Sequence, residues 1–205
     1  MISPSTPFIP LDPSKSMSKK IYIIIALIVL LAAAVAIFFL SNAEEKASDT
    51  GAVPVVDLAE VRQEQADQAR EEFASGKKQT FTHTALGFSF EYPEGYTVGN
   101  FAEGEDAEVV LLQKDNVGFQ LFISPFDENI ALTPQRIKQD ISDIEMQNEI
   151  VISVGGSQGV VFSSEDDGEK STEIWFVNAN RLYQITTYPE FDLIMVDILE
   201  TWRWN

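Results

Sequence analysis

The longest hydrophobic run in the chain occupies residues 21–40, from Ile21 to Leu40, and contains no charged residue. At about 1.5 Å of rise per residue it forms a helix of about 30 Å, which matches the hydrocarbon core of a bilayer. Lys19 and Lys20 precede it, whereas residues 41–50 hold three acidic residues and one lysine. This charge bias predicts a single-pass helix with a cytoplasmic N-terminus, so the lipid bilayer is the first predicted partner.

A cleaved signal peptide is the alternative to a permanent anchor. Ser41-Asn42-Ala43 forms a small-x-small cleavage site after the hydrophobic run. The hydrophobic regions of signal peptides span roughly 7 to 15 residues, which is shorter than the run at residues 21–40. The length therefore favours the uncleaved anchor, although the sequence leaves the alternative open.

Polar segments flank the predicted span. Residues 1–20 contain four prolines and no apolar period, and they are interpreted as a disordered cytoplasmic tail. Residues 41–79 are interpreted as a juxtamembrane linker and a polar stalk helix, with Asp57 and Glu60 as a capping-box-like start and Gly76 as the stop. A thin apolar stripe lets this helix serve as a stalk, dock weakly on the domain or form a coiled coil; it comprises Leu58, Val61, Ala69 and Phe73.

Residues 80–205 carry the patterns of a folded domain. Aromatic and polar residues alternate over residues 87–92, which predicts a strand that buries Phe88, Phe90 and Tyr92. Residues 108–113 and 119–126 flank a loop of hairpin length and should pair antiparallel.

The second half of the domain alternates helical and strand periods. Thr133 and Pro134 predict a helix start, and apolar spacing continues at Ile137, Ile141 and Ile144. Four further strands are predicted at residues 149–154, 158–164, 172–178 and 181–188, and a last helix at residues 191–201. The total is an α+β domain with an antiparallel sheet of about six or seven strands and helices packed against it.

Both ends of this domain resemble the PsbP/Mog1-type α/β/α sandwich, in particular small PsbP-related domains of exported bacterial proteins. Residues 86–96 (LGFSFEYPEGY) are similar to that family's entry strand, and residues 198–204 (ILETWRW) to its final helix and aromatic end. The resemblance covers residues 80–205 and implies an accessory or binding module more than an enzyme. It carries over no binding residue, because the similar positions are core and turn positions.

Composition excludes several classes of function. The chain has no cysteine, which excludes disulfides, thiol catalysis and zinc–thiolate sites. Residues 80–205 contain 6 basic against 22 acidic residues, a net charge of −16 with the single histidine neutral. Such a surface repels nucleic acid. An envelope protein remains the candidate partner.

One sequence matches a nucleophile pattern. Residues 155–159 (GGSQG) fit G-x-S-x-G, which would make Ser157 a nucleophile. A strand rather than a helix follows, and no histidine lies downstream; His83 sits upstream in an exposed-looking stretch. The pattern is therefore interpreted as a glycine-rich turn.

Clustered acidic residues offer oxygen ligands for Ca²⁺. The two clusters comprise Glu103, Glu105, Asp106 and Glu108, and Glu165, Asp166, Asp167 and Glu169. Neither has EF-hand spacing, and Asp167-Gly168 is typical of a hairpin turn. A Ca²⁺ site is left open but disfavoured against solvated acidic loops.

The tryptophans are interpreted mainly as core residues. Trp175 alternates with Val177 in a strand, and Trp202 continues the apolar side of the last helix, whereas Trp204 is the one expected at the surface. The sequence thus identifies no catalytic, cofactor-binding or metal-ligating residue and no cofactor. The leading hypothesis is a non-catalytic, membrane-tethered binding or accessory module outside the cytoplasm; the alternatives are an envelope hydrolase and a purely structural envelope protein.

Overall fold

The computed structural model describes residues 58–104, 106–166 and 168–205. The predicted tail, the predicted span at residues 21–40 and most of the predicted linker lie outside these residues. No helix in the described part combines the length and apolar character needed to cross a bilayer.

A seven-stranded antiparallel sheet forms the centre of the domain, with the strand order β3-β4-β5-β9-β8-β7-β6. Its strands are β3 (Thr97–Glu103), β4 (Ala107–Lys114), β5 (Val117–Pro125), β6 (Gln147–Val154), β7 (Ser157–Asp166), β8 (Glu169–Asn178) and β9 (Arg181–Thr187). The predicted hairpin of residues 108–113 and 119–126 is confirmed, because β4 and β5 pair antiparallel from Glu108 opposite Ile123 to Lys114 opposite Val117. The four strands predicted after residue 148 are confirmed as β6 to β9.

A second sheet of three strands was not anticipated from the sequence. It comprises β1 (Lys78–His83), β2 (Phe88–Pro93) and β10 (Arg203–Trp204), with β2 in the middle. The α+β class is correct, but the strand predicted at residues 87–92 belongs to this small sheet rather than to the large one. The short β10 pairs Arg203 with Ser89 and Trp204 with Phe88, which are distant in sequence and invisible to a local pattern.

Three α-helices accompany the sheets in the described residues: α1 (Leu58–Ala74), α2 (Pro134–Asp140) and α3 (Asp192–Glu200), the last preceded by a 3₁₀ turn at Pro189–Phe191. The predicted cap of α2 is confirmed, since Thr133 Oγ1 accepts a hydrogen bond from the backbone N–H of Arg136 at 3.2 Å. The helix ends at Asp140, earlier than its apolar spacing predicted, so Ile141 is its C-cap and Ile144 lies beyond it. Ser142 and Asp143, residue types that favour turns, lie between these two isoleucines.

Helix α1 packs on the domain. Its Ala66 and Ala69 are buried in the main core, and Arg70 Nε lies 3.0 Å from Asp197 Oδ2 on α3. The small alanine side chains bring the helix close to its neighbours. Of the roles that the sequence left open for this helix, docking on the domain is the one observed in the structure.

The main core lies between one face of the large sheet, the small sheet, α1 and α3. Aromatic rings dominate it. Phe88 and Trp202 stack at 4.7 Å between ring centroids with an interplanar angle of 8°, and Phe176 and Tyr183 stack at 5.0 Å. Trp202 is fully buried, as predicted.

The opposite face of the large sheet buries a second apolar group. Trp175 and Phe162 meet edge to face there, with ring centroids 5.4 Å apart. Gln158, which shares this face, donates a hydrogen bond to the carbonyl oxygen of Leu132 just before α2. The segment that contains α2 therefore covers this side of the sheet.

Candidate functional site

An open depression lies where the turn after β6 meets the end of α3 and strand β10. Its volume is about 450 Å³. Eight residues line it: Ser153, Gly155, Gly156, Leu199, Glu200, Trp202, Arg203 and Trp204. We call this feature the tryptophan depression.

The tryptophan depression contains two indole N–H groups without a hydrogen-bond acceptor in the described part of the chain. Both Nε1 atoms, of Trp202 and of Trp204, are shielded from solvent. A buried donor without a partner costs about 1–3 kcal/mol of stability. Three other shielded polar atoms also lack a partner in the described residues, on Tyr96, Glu190 and Asp192, but the two indoles are neighbours, with ring centroids 5.7 Å apart.

The glycine turn after β6 lies against the donor of Trp204 and against the neighbouring edge of the Trp202 ring. Gly155 and Gly156 have φ values of 56° and 90°, a region that favours glycine. A Cβ built on Gly155 would lie 2.8 Å from Trp204 Nε1 and 2.8 Å from Trp202 Cδ1. The absence of a side chain at residue 155 therefore lets the indole edges and the turn backbone approach each other.

Positive charge and a hydroxyl complete the rim of the depression. Arg203 is exposed, and its Nη1 donates to the carbonyl oxygens of Glu200 and Trp202 at 2.9 and 2.7 Å. Among the described residues, no carboxylate forms an ion pair with this guanidinium, although six other basic side chains are paired with carboxylates. Ser153 is exposed beside it. The depression thus offers hydrogen-bond donors within a strongly acidic domain.

An edge of the large sheet leads into the depression. Strand β6 is the last strand in the sheet order, so one of its edges has no strand partner among the described residues. Ile150 and Val151 on this strand are exposed, Val151 by 55%. The strand ends at Val154, directly before the glycine turn.

The predicted exposure of His83 is wrong. Its side chain is buried, because strand alternation places it on the same face as Phe81 and against Phe88, whose ring stacks on the imidazole at 5.1 Å. Its Nδ1 accepts a hydrogen bond from the backbone N–H of Leu86 at 3.2 Å, so Nε2 carries the proton that faces Glu108 Oε2 at 2.8 Å.

A half-buried carboxylate lies on the other face of the large sheet. Glu173 accepts hydrogen bonds from Ser171 Oγ at 3.0 Å, Trp175 Nε1 at 3.2 Å and Thr186 Oγ1 at 2.9 Å. Desolvation by burial raises the pKa of this carboxyl, and the three hydrogen bonds offset part of the rise. All its described partners are donors, which makes the cluster a satisfied structural network.

A second acidic group lies where α1 meets the 3₁₀ turn. Arg62 stacks over the ring of Tyr188 at 4.1 Å and lies 3.3 Å from Glu190 Oε1. Burial, followed by the charge of Glu190, raises the pKa of Asp192. The arginine balances part of this negative charge and attaches α1 to the end of β9.

The residues that the sequence singled out do not assemble into one site. Ser157 begins β7 after the glycine turn, and its Oγ donates to Asn178 Oδ1 at 3.3 Å, which agrees with the turn interpretation. Within the described residues, no three acidic or histidine side chains converge in a metal-binding arrangement. Glu105 and Asp167 of the two acidic clusters fall outside those residues.

Sequence reasoning missed the tryptophan depression as a site. It identified Trp202 as core and expected Trp204 at the surface; Trp204 is partly buried, and its N–H faces the turn. The glycine pair was the only local signal, since two glycines in a turn permit close approach of another group. That the approaching groups are indoles from residues 202–204 follows only from the fold.

Comparisons with known proteins give similarity in fold only. No family model and no curated protein matches the chain. Similar solved structures include the cyanobacterial PsbP of Synechocystis sp., at 12% identity and a TM-score of 0.44, covering 76% of this chain and 99% of that one. A protein from Bacteroides thetaiotaomicron matches at 16% identity and a TM-score of 0.39, covering 63% of this chain and 49% of that one.

A protein of unknown function from Pseudomonas aeruginosa matches at 11% identity and a TM-score of 0.29, covering 60% of this chain and 90% of that one. PsbP is also the family that residues 86–96 and 198–204 resemble in sequence. Likenesses at these scores carry no argument about function, which has to come from the residues of the depression.

Proposed function

We propose that this chain is a membrane-tethered binding module of the extracytoplasmic space and that it takes its ligand at the tryptophan depression. The observation that carries the proposal is the pair of unpartnered indole N–H groups of Trp202 and Trp204 beneath the glycine turn. A ligand that supplies acceptors there recovers two hydrogen bonds that the free protein lacks.

The predicted span at residues 21–40 supports the tethered location. Three lysines in the preceding tail and three acidic residues just after the span favour an N-terminus in the cytoplasm and a C-terminal domain outside. Tethering raises the effective concentration of the domain toward partners in or near the same membrane.

The proposal assigns binding and no catalytic residue. The one histidine uses both ring nitrogens in contacts within the fold, to Leu86 and Glu108. Ser157 faces Asn178 rather than a base. These contacts support a non-catalytic role for His83 and Ser157.

A photocrosslinker placed at the rim of the depression tests the proposal. Benzoylphenylalanine replaces Ser153 in the full-length chain, cells are irradiated, and the intact mass of the immunopurified chain is measured. An adduct of defined mass is expected at this position. The same crosslinker at Phe101, an exposed residue on the opposite edge strand β3, is expected to give no such adduct.

A matched pair of arginine variants makes this readout specific. Arg203→Gln removes the unpaired charge at the depression and is expected to abolish the Ser153 adduct. Arg181→Gln removes an arginine that likewise donates to a backbone carbonyl, that of Asp106, and should leave the adduct intact. An adduct that persists in Arg203→Gln, or one that forms equally at Phe101, would contradict binding at the depression.

A further inference from the structure

The donors of the tryptophan depression favour an anionic acceptor as ligand. Two shielded indole N–H groups belong to residues that line the depression, and the guanidinium of Arg203, which has no carboxylate partner in the described residues, lies at its rim; Glu200, the one acidic residue of the lining, is exposed to solvent. Hydrogen bonds to a charged acceptor are roughly twice as strong as those between neutral groups. A carboxylate has two oxygens, and these can accept from several donors at once.

The free edge of β6 favours an extended chain beside that carboxylate. An edge strand presents unpaired N–H and C=O groups that a peptide can pair with. Ile150 and Val151 project to opposite faces of β6 and are both exposed, so they offer apolar contacts to alternating side chains of an added strand. Because β6 runs towards the depression, a peptide parallel to it ends there.

We infer that the ligand is the carboxyl-terminal segment of a partner protein, which extends parallel to β6 along its free edge and places its terminal carboxylate in the tryptophan depression. This inference rests on the proposed function and specifies its ligand. Side chains of such a segment are neutral or basic, because the domain around the site carries a large excess of acidic residues.

The glycine turn controls access to the indole donors. The Nε1 atoms are shielded from solvent, so the backbone at Gly155 and Gly156 has to move for the carboxylate to reach them. Glycine permits such movement because it occupies several backbone regions at little cost. Binding therefore exchanges a turn that covers two unpaired donors for a peptide end that pairs with them.

Fluorine NMR of the full-length chain in detergent micelles tests this inference. The protein has three tryptophans, so labelling with 5-fluorotryptophan gives three signals, each assignable by a tryptophan-to-phenylalanine replacement. The probes are hexapeptides selected by the full-length chain from a synthetic library with free carboxyl termini. Their carboxamide forms and N-acetylvaline serve as comparison ligands.

The expected result separates the tryptophans. Selected hexapeptides shift the signals of Trp202 and Trp204 and leave that of Trp175, whose N–H is bonded to Glu173. The carboxamide forms bind about tenfold or more weakly. Val151→Asp on the β6 edge weakens binding, whereas Phe101→Asp, at the same exposed fraction of 55% on the opposite edge, does not.

Three results would overturn the inference. The first is a carboxamide form that binds as tightly as the same hexapeptide with a free carboxyl terminus. The second is N-acetylvaline that binds as tightly as the selected hexapeptides. The third is a library that yields no peptide able to shift the signals of Trp202 or Trp204. In each case the Arg203-dependent adduct at residue 153 is measured independently. If the wild-type chain forms this adduct and Arg203→Gln does not, the depression is a binding site for another ligand. If the wild-type chain forms no adduct, the proposed function fails too.

Discussion

Nε2 of His83 lies 2.8 Å from Oε2 of Glu108, and this contact joins the small sheet to the large one. His83 ends β1, whereas Glu108 lies on β4. The amide of Asn100 on β3 lies 3.4 Å from the same carboxylate oxygen. The only histidine of the chain therefore stabilises the contact between two layers.

Replacement of this histidine should destabilise the domain. His83→Phe retains an aromatic ring against Phe88 but leaves the N–H of Leu86 without its acceptor, at a cost of about 1–3 kcal/mol. Urea unfolding of the full-length chain in micelles, followed by tryptophan fluorescence, measures the loss. Glu108→Gln keeps an oxygen opposite Nε2 and should lose less; an equal or larger loss would contradict the assigned tautomer.

Two glutamates should affect the pH dependence of stability with opposite sign. Burial raises the pKa of Glu173, so its favourable contribution is present below the pKa of the unfolded chain and is lost as pH rises through the folded pKa. The hydrogen bond from Lys138 lowers the pKa of Glu149, so its contribution is present at neutral pH and is lost as pH falls through the folded pKa.

Melting temperatures between about pH 3 and pH 8 measure this difference. Relative to Glu173→Gln, the wild type should become less stable as pH rises. Relative to Glu149→Gln, the wild type should lose stability as pH falls below the ordinary pKa of a glutamate. Parallel curves for the wild type and Glu173→Gln would show that the carboxyl is not desolvated as described.

Alanine replacements at Gly155 and Gly156 should separate the cost of backbone strain from the cost of a steric clash with the indoles. Both residues have positive φ, so each replacement costs about 1 kcal/mol in backbone strain. Gly155→Ala also drives a methyl group into Trp202 and Trp204, which adds about 1–3 kcal/mol of overpacking. A Cβ on Gly156 meets nothing within 4 Å. Equal losses in urea unfolding would exclude the close approach of the indoles to residue 155.

The predicted membrane topology can be tested with single cysteines, because the chain has none of its own. A cysteine at Ser5 should be protected from a membrane-impermeant maleimide in intact cells and react after lysis. A cysteine at the exposed Lys170 should react in intact cells. Labelling of Ser5→Cys before lysis, or protection of Lys170→Cys, would reverse the orientation inferred from the lysines.

Most strands and helices of the described domain could be predicted from local patterns, for physical reasons that individual residues illustrate. The alternation of Phe88, Phe90 and Tyr92 reflects burial of one strand face, and Thr133 with Pro134 satisfies the open end of a helix by local hydrogen bonding. Such signals act over a few residues, so a sequence shows them directly.

The division into two sheets and the candidate site could not be predicted in the same way. Trp204 pairs with Phe88, and Gly155 meets both Trp202 and Trp204; these contacts join residues far apart in sequence. His83 looked exposed because its threonine neighbours are, and its burial depends on a partner strand that pairs it with Phe88. Local pattern does not specify which distant segment supplies such partners.

The stacking of Trp202 on Phe88 joins two residues that are synthesised at well-separated times. Phe88 and Phe90 leave the ribosome more than a hundred residues before the indole that covers them and before β10, which pairs with β2. Until then their rings remain exposed, and an open strand edge with exposed aromatics is prone to aggregation. The aromatic core of the nascent domain therefore closes only after residues 202–204 have been synthesised.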